Sequence, residues 1–182
     1  LLPERYHKKP LVVPTMSFIG DLDKRLKKKK VPKSVQRFIE EHVKAGKRFL
    51  LFVPRITLLV PIEIVLRRQF PNAKFETVSS KEPYRQERIA QMRAGELDFL
   101  VTTTILERGV TFSGVDVCVV NAHEEEFSRE VLVQIAGRVG RTSECPTGEV
   151  VYFHNGKTNA MVQAVWEIKN LNQQALLGRE SK

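Results

Sequence analysis

The sequence contains only two cysteines and no long uninterrupted hydrophobic run. Cys118 lies in an apolar strand pattern and Cys145 in a polar turn pattern, so the chain can form neither a disulfide framework nor a four-cysteine zinc site. The longest nearly uncharged stretch, residues 49–62, is interrupted by Arg55 and two prolines. It is shorter than the roughly 18 apolar residues that a membrane-spanning helix needs. These shortages predict a protein of a reducing cytoplasm with no transmembrane segment.

Charged and hydrophobic residues occur in the proportions of a globular domain, at 28% and 42% of the 182 residues. This composition excludes wholesale disorder and collagen-like repeats. The length corresponds to one large domain, or to one domain with an extension. Because the first residue is Leu1 and no apolar signal core follows it, we expect the sequence to be a fragment of a longer chain.

The formal net charge of +9 is concentrated at the front of the chain. Residues 1–48 contain 14 Lys and Arg residues against 5 Asp and Glu residues, whereas residues 49–182 contain 16 of each kind. The front segment includes an uninterrupted lysine run, residues 27–30. Such a run is typical either of a solvated linker or helix end, or of contact with nucleic-acid phosphates, and the sequence leaves both interpretations open.

From Val31 onward, helical and strand patterns alternate, which predicts an α/β fold with a mainly parallel central sheet flanked by helices. The first helix is bounded by Pro32 and Gly46, and the buried strand 48–53 follows it. The alternation continues as helix 57–70, strand 74–78, helix 83–95, strands 98–103 and 115–121, helix 128–138, strand 149–154 and helix 158–174.

Parallel sheets bind ligands at the carboxyl ends of their strands, so the residues that follow each strand are candidates for function. Thr102, Thr103 and Thr104 end one predicted strand and provide hydroxyl groups and backbone N–H groups that suit a phosphodiester. Arg55 follows a second strand, and Lys81 follows a third. Thr103, Thr104, Arg55 and Lys81 are therefore candidate nucleic-acid contacts. The alternative is that the threonines only form a cap or a turn at the strand end, and neither Arg55 nor Lys81 indicates a function by itself.

The string QIAGRVGR at residues 134–141 is the strongest chemical signal. On a helix, Gln134, Arg138 and Arg141 are spaced by four and then three residues, so they share one face and can point at a single anion. A γ-phosphoryl group in transfer is such an anion. The alternative is a helix end with two solvated arginines.

Other strings match known sites only in part. A phosphate-binding loop needs Gly-x-x-x-x-Gly-Lys-Ser/Thr, and residues 155–158 have only its end, so we interpret them as a turn in which Thr158 caps the last helix. Residues 123–126 have the composition of an acidic magnesium-binding box but are interpreted as a solvated loop. The four histidines show no metal-ligand spacing, and we expect no metal site.

Three strings together resemble motifs IV, V and VI of superfamily 2 helicases: FLLFVPR at 49–55, VTTTILERGV at 101–110 and QIAGRVGR at 134–141. Two more, TTTILERGVTF at 102–112 and PTGEVVYFHNGKT at 146–158, resemble the ComFA family of late-competence helicase-like ATPases. That family works in DNA uptake by naturally transformable Gram-positive bacteria. The resemblance implies the second RecA-like motor domain over residues 31–182, preceded by a basic inter-domain linker, residues 1–30.

The resemblance also implies roles for individual residues. Arg141 matches the arginine finger of motif VI, Arg138 the second arginine that senses the γ-phosphate, and Gln134 the polar residue that places the phosphate or its attacking water. Gly109 matches the point at which motif V approaches the nucleotide. Thr111 stands where many relatives have an acidic residue, which weakens a role for it at the ribose.

Thr103 matches the motif V threonine that holds a nucleic-acid phosphate. The implied ligands are single-stranded DNA and ATP with Mg²⁺, the latter bound mainly by a first RecA-like domain of the same chain. Proteins of the DNA-uptake machinery are expected as partners at the inner face of the membrane. Two alternatives stay open: a superfamily 2 helicase of replication restart or recombination, and a non-catalytic RecA-like interaction module.

Overall fold

A computed structural model describes residues 10–104, 112, 114–139 and 148–180 of the chain. The strands are β1 (Thr15–Phe18), β2 (Phe49–Phe52), β3 (Phe75–Val78), β4 (Phe99–Thr102), β5 (Asp116–Val119) and β6 (Val150–His154). The helices are α1 (Leu22–Lys27), α2 (Lys33–Ala45), α3 (Leu59–Gln69), α4 (Arg85–Arg93), α5 (Arg129–Ala136) and α6 (Asn159–Glu180), and a short 3₁₀ helix (Ile56–Leu58) precedes α3.

The described strands form one sheet in the order β1-β6-β5-β2-β4-β3, and every pairing is parallel. The predicted α/β fold with a parallel central sheet is therefore confirmed. All strands run in the same direction, so their carboxyl ends meet at one edge of the sheet. The loops that follow β2, β4 and β3 are therefore neighbours along that edge.

The sheet is buried on both faces because its strands are apolar on both sides. Along β2, Phe49 and Leu51 pack into the core layer of α1, α2 and α3, whereas Leu50 and Phe52 pack into the layer of α4, α5 and α6. All four side chains are fully buried. This double burial explains why the sequence of β2 is a continuous apolar run rather than an alternating one.

Three phenylalanine rings from adjacent strands form a stack inside the first of these layers. The ring centroids of Phe49 and Phe99 are 4.6 Å apart, and those of Phe75 and Phe99 are 4.7 Å apart. Phe99 lies in the middle, and strand register brings all three rings opposite one another. The stack ties β2, β4 and β3 together from one side.

The front segment contributes more to the fold than the sequence predicted. Residues 15–18 lie within the segment expected to be a linker, but they form β1, which pairs with β6 at the edge of the sheet. Leu22 of α1 is buried in the core, and Leu26 packs against it. Leu11 is held to α6 by two hydrogen bonds, from Leu11 N to Asn172 Oδ1 at 2.7 Å and from Asn172 Nδ2 to Leu11 O at 2.9 Å.

The lysine run ends α1 in an ordered turn. The backbone N–H of Lys29 donates to the carbonyl of Leu26 at 2.8 Å, and the N–H of Lys30 donates to that of Arg25 at 3.2 Å. This hydrogen-bond pattern is the Schellman motif, with Lys29 in the left-handed position at φ 58°. Cations at a helix C-terminus also interact favourably with the helix dipole. The run therefore ends a helix, and contact of these exposed lysines with phosphates stays a prediction.

The last helix begins as predicted and extends six residues further than expected, to Glu180. Its first turn is capped by Thr158, whose Oγ1 accepts a hydrogen bond from Met161 N at 3.3 Å. The interpretation of residues 155–158 as a turn with a capping threonine is confirmed. Within the described residues, no helix combines the length and the apolar character needed to cross a membrane.

Candidate functional site

The structure brings the predicted nucleic-acid residues to one edge of the sheet. Arg55 follows β2, Thr103 and Thr104 follow β4, and Lys81 follows β3. These three strands are adjacent, and neighbouring strands are about 4.8 Å apart, so the strand ends span roughly 10 Å. Lys81 is exposed and Thr104 is partly exposed. Thr103 is only 7% exposed, so most of it is covered by its neighbours.

Arg55 is held by the acidic loop that follows β5. Its Nη1 donates to Glu124 Oε2 at 2.7 Å, and Glu126 Oε1 lies 4.0 Å from the same nitrogen. The hydrogen bond to Glu124 raises the pKa of the Arg55 guanidinium above its usual value. The acidic loop was predicted to be solvated, but two of its carboxylates contact this arginine. Because the ion pair is partly exposed, a phosphate can replace the carboxylate at modest cost.

The helix that carries the motif VI residues is shorter than predicted. α5 ends at Ala136 rather than at residue 138, and the chain continues in 3₁₀ turns: Arg138 N donates to Ile135 O at 3.1 Å, and Val139 N donates to Ala136 O at 3.3 Å. Gln134 is exposed, whereas Arg138 is only 4% exposed, and their convergence on one anion stays a prediction.

Three of the predicted site residues, Arg141, Gly109 and Thr111, lie outside the described residues. Their predicted roles at the nucleotide stay predictions. Cys145 also lies outside them, whereas Cys118 is buried in β5 as a free thiol whose pKa burial raises well above its usual value.

The segment that follows α5 packs at the amino edge of the sheet. A Cβ atom on Gly148 would collide with the side chain of Val139 and would lie 2.7 Å from Oδ1 of Asp116, the first residue of β5. Glycine is therefore required at position 148 for this close approach. The buried Arg138 precedes Val139, so it enters from the edge opposite to the one that carries Arg55 and Thr103.

A charged cluster at the same amino edge was not predicted from the sequence. His42 of α2 lies 2.8 Å from Asp116, measured from Nε2 to Oδ2, and 3.7 Å from Glu149 Oε2. Asp116 Oδ1 also accepts a hydrogen bond from Glu149 N at 3.0 Å. The three side chains place ligand-type atoms within 4.8 Å of one another, a donor set that can bind a divalent metal. Since Nε2 and Oδ2 already contact each other directly, we interpret the cluster as a buried ion pair.

Both ring nitrogens of His42 face hydrogen-bond acceptors, because Nδ1 lies 2.8 Å from the carbonyl oxygen of Phe38. Only the doubly protonated imidazolium can donate to both. Burial by itself lowers the pKa of His42, but the hydrogen bonds to Asp116 and Phe38 and the negative charges of Asp116 and Glu149 outweigh it, so the pKa is raised. The raised pKa favours the charged form of the ring, which links α2 to the start of β5.

This ion pair predicts a stability that depends on pH. Folded His42 has a raised pKa, so between the unfolded value of about 6.5 and the folded value the folded chain binds more protons than the unfolded chain. The free energy of unfolding should therefore fall as the pH rises through this window, and this fall should be absent from a His42→Gln chain. Urea unfolding of both chains from pH 6 to pH 9 measures the difference.

The difference between the two chains isolates His42 from other histidines. His154 has a pKa lowered by burial and by Lys157 and His123, so it contributes a slope of opposite sign in both chains. Parallel stability curves for the wild type and His42→Gln would contradict the charged-pair assignment.

Three comparisons relate the chain to known proteins. Over residues 29–143 it matches the family described as the helicase conserved C-terminal domain. Over 96% of its length, it is 41% identical to "Competence protein ComFA" of Bacillus subtilis (strain 168) and 39% identical to the protein of the same name from Streptococcus pneumoniae (strain ATCC BAA-255 / R6). It spans 37% and 40% of those two proteins.

The fold is similar to a solved helicase domain at low sequence identity. The C-terminal domain of S. cerevisiae Dbp5 superposes with a TM-score of 0.54 at 14% identity, over 89% of this chain and 83% of that one. The likeness concerns the fold alone, and it confirms the RecA-like architecture.

Proposed function

This chain belongs to the family of helicase conserved C-terminal domains, as its motifs predicted, and we propose that it is the second RecA-like motor domain of an ATP-dependent translocase that moves single-stranded DNA during natural transformation. The observation that carries the proposal is the match to two ComFA proteins over 96% of this chain. Because the chain spans about two-fifths of those relatives, the first motor domain and the remaining machinery belong to the proposal.

In this proposal ATP lies in a cleft between the two RecA-like domains. The donor chemistry of this chain fits a polyphosphate, since Arg138 and Arg141 carry permanent positive charges and planar sets of N–H donors. Arg141 would meet the charge that develops on the γ-phosphoryl group, and Arg138 would hold its ground-state oxygens. Gln134 would orient the phosphate or the attacking water, while Gly109 and Thr111 would adjoin the nucleotide. Mg²⁺, held by the first domain, would neutralise charge on the phosphate oxygens.

The burial of Arg138 supports a positioned rather than a solvated arginine. Because Arg138 is only 4% exposed, its side chain has few rotamers left, so little conformational entropy would be lost when it contacts a phosphate. Val139 packs closely against Gly148 immediately after it, which restricts the backbone at this point. The alternative of two solvated arginines at a helix end does not describe Arg138.

The opposite edge of the sheet would form part of the DNA track. Three adjacent strand ends offer cationic and hydroxyl groups, from Arg55, Thr104 and Lys81. Thr103, which is mostly buried, adds a backbone N–H group and a hydroxyl group. The Glu124 carboxylate on Arg55 would give way to a DNA phosphate, which is the same type of acceptor. We propose that the protein acts on the cytoplasmic side of the membrane together with other DNA-uptake proteins.

The division of the site between two domains predicts that this chain alone hydrolyses no ATP. The sequence has no Gly-x-x-x-x-Gly-Lys-Ser/Thr string to hold the phosphates, so nucleotide binding should be weak as well. Steady-state phosphate release from the purified chain, with and without single-stranded DNA, measures this. A full-length protein that contains the domain serves as the positive control and should show turnover that DNA stimulates. DNA-stimulated turnover by the isolated chain would contradict the assignment to the second motor domain.

A further inference from the structure

A basic groove lies at the carboxyl end of β1, between α1 and the first turn of α2. It has a volume of about 530 Å³. Its walls carry one aromatic ring, Phe18, and four cations, Lys24, Arg25, Lys28 and Lys33. We call it the Phe18 groove. It is distinct from the predicted DNA track, because β6 and β5 separate β1 from β2 in the sheet.

Phe18 is an aromatic residue with most of its surface exposed to solvent. It is the last residue of β1, and 66% of it is exposed to solvent. The ring has a fixed neighbour, since its centroid lies 6.0 Å from that of the buried His154 in an edge-to-face arrangement of 73°. The strand and the histidine therefore hold the ring in place while most of its surface remains open.

The charge around the ring is strongly positive. The four cationic side chains are exposed, and Asp21 is the single acidic side chain among the lining residues. Asp21 is already engaged as the N-cap of α1, where its Oδ1 accepts a hydrogen bond from Lys24 N at 3.2 Å. The groove also adjoins the first turn of the 13-residue α2, which no side chain caps and which carries the positive end of a helix dipole.

We propose that the Phe18 groove binds single-stranded DNA, with one base stacked on Phe18 and the adjoining phosphates on Lys24, Arg25, Lys28 and Lys33. An aromatic platform beside a row of cations is the combination that recognises single strands without reading their sequence. The charge complementarity favours a polyanion over an apolar partner. This inference rests on the proposed function, and it adds a contact at the far end of the same sheet edge that carries Arg55 and Lys81.

The stacking contact is tested with two probes in fluorescence anisotropy titrations of the 182-residue chain. One probe is a labelled oligodeoxythymidylate, and the other is an abasic oligomer of the same length, which keeps the phosphates but has no bases. Phe18→Ala should weaken thymidylate binding by about tenfold, the scale of one lost stacking contact. It should leave binding of the abasic oligomer unchanged, and Phe18→Trp should restore thymidylate binding.

A matched control uses an aromatic residue on the other helical layer. Trp166 of α6 is 65% exposed, almost the same fraction as Phe18. Trp166→Ala should bind both probes like the wild type. Two results would overturn the stacking role. One is that Phe18→Ala binds thymidylate as tightly as the wild type does, and the other is that Phe18→Ala loses the same affinity for thymidylate and for the abasic oligomer.

The phosphate contacts are tested through the salt dependence of thymidylate binding. Each phosphate contact that is lost from a single strand should reduce the log–log slope by about 0.7. Lys24→Gln combined with Lys28→Gln should therefore flatten the slope by about 1.4. The control pair, Lys44→Gln with Lys169→Gln, removes two exposed lysines that do not line the groove and should leave the slope unchanged. Equal slopes for the two double variants would overturn the proposal.

A third readout separates DNA from an acidic protein partner. A thymidylate oligomer that carries 5-iodouracil should photo-crosslink to the peptide that contains Phe18, as mapped by mass spectrometry. The DNA assignment would be overturned in favour of an acidic protein segment by two results together: polyglutamate competes with thymidylate for the chain, and no crosslink forms at the Phe18 peptide. Failure of this inference leaves the proposed function standing if a full-length protein with Phe18→Ala keeps DNA-stimulated ATP hydrolysis. A wild-type full-length protein that shows no DNA-stimulated ATP hydrolysis would contradict the proposed function itself.

Discussion

Replacing Arg141 by alanine in a full-length protein that contains this domain should lower kcat for ATP hydrolysis at least about a hundredfold, with little change in nucleotide affinity. The proposed role of Arg141 is to meet charge that develops on the γ-phosphoryl group only as the bond to the leaving phosphate breaks. Its contribution therefore belongs to the transition state, not to the ground state. Arginines of this kind contribute on the order of 10³–10⁵ to the rate in related phosphoryl-transfer systems.

Arg141→Lys distinguishes a specific contact from bulk charge. Lysine keeps the positive charge but loses the planar set of donors, so it should be almost as slow as alanine. Arg37→Ala is the control, because Arg37 is an exposed arginine on α2 and should be neutral. Near-normal hydrolysis by Arg141→Ala, with the fold intact by circular dichroism, would remove the finger role and favour the interaction-module alternative.

Phe99→Ala should reduce the free energy of unfolding by about 3–5 kcal/mol, the range for a fully buried phenylalanine. The cost has two sources: the lost burial of the ring, and a cavity between Phe49 and Phe75, whose rings stack on it from both sides. Domains of this kind have only about 5–15 kcal/mol of stability in total. Urea unfolding followed by circular dichroism measures the loss.

Two controls define the origin of this effect. Phe99→Leu keeps most of the volume, so it should cost less than Phe99→Ala. Phe18→Ala removes the same ring from a position that is 66% exposed, and it should change stability by less than about 0.5 kcal/mol. A loss below about 1 kcal/mol in Phe99→Ala would contradict the packing of the three rings.

The sequence was sufficient to predict the central sheet and most helices because these elements are buried in a simple pattern. β2 and β4 are buried on both faces and read as short apolar runs. α2 has one apolar face, from Val35 to Val43, that packs on the sheet. The loops after these strands could be placed at one edge from parallel topology alone.

β1 and α1 escaped prediction because their formation depends on residues distant in sequence. β1 is only four residues long, and two of them, Thr15 and Phe18, are exposed, so no apolar run marks it. Its backbone pairs with β6, more than 130 residues further along the chain. α1 contains a single buried residue, Leu22, among several charged ones, and therefore resembles a linker.

The details of the site depend on packing that motif spacing does not encode. α5 ends at Ala136, two residues earlier than predicted, and Arg138 is buried whereas Gln134 is exposed. His42 and Asp116 are 74 residues apart, and only the fold brings them together. A sequence signal did exist for the cluster: Asp116 is a charged residue at the start of a strand that is otherwise apolar.

The central claim, that this domain supplies arginines to a nucleotide held by another domain, is tested most directly by transition-state analogue binding. The measurement compares the affinities of ADP alone and of ADP with aluminium fluoride for the full-length protein and for its Arg141→Ala and Arg138→Ala variants, with DNA present. We expect the wild type to bind the analogue at least about a hundredfold more tightly than ADP. We expect Arg141→Ala to lose most of this preference while its affinity for ADP stays unchanged. Variants that keep the full preference for the analogue would contradict the claim.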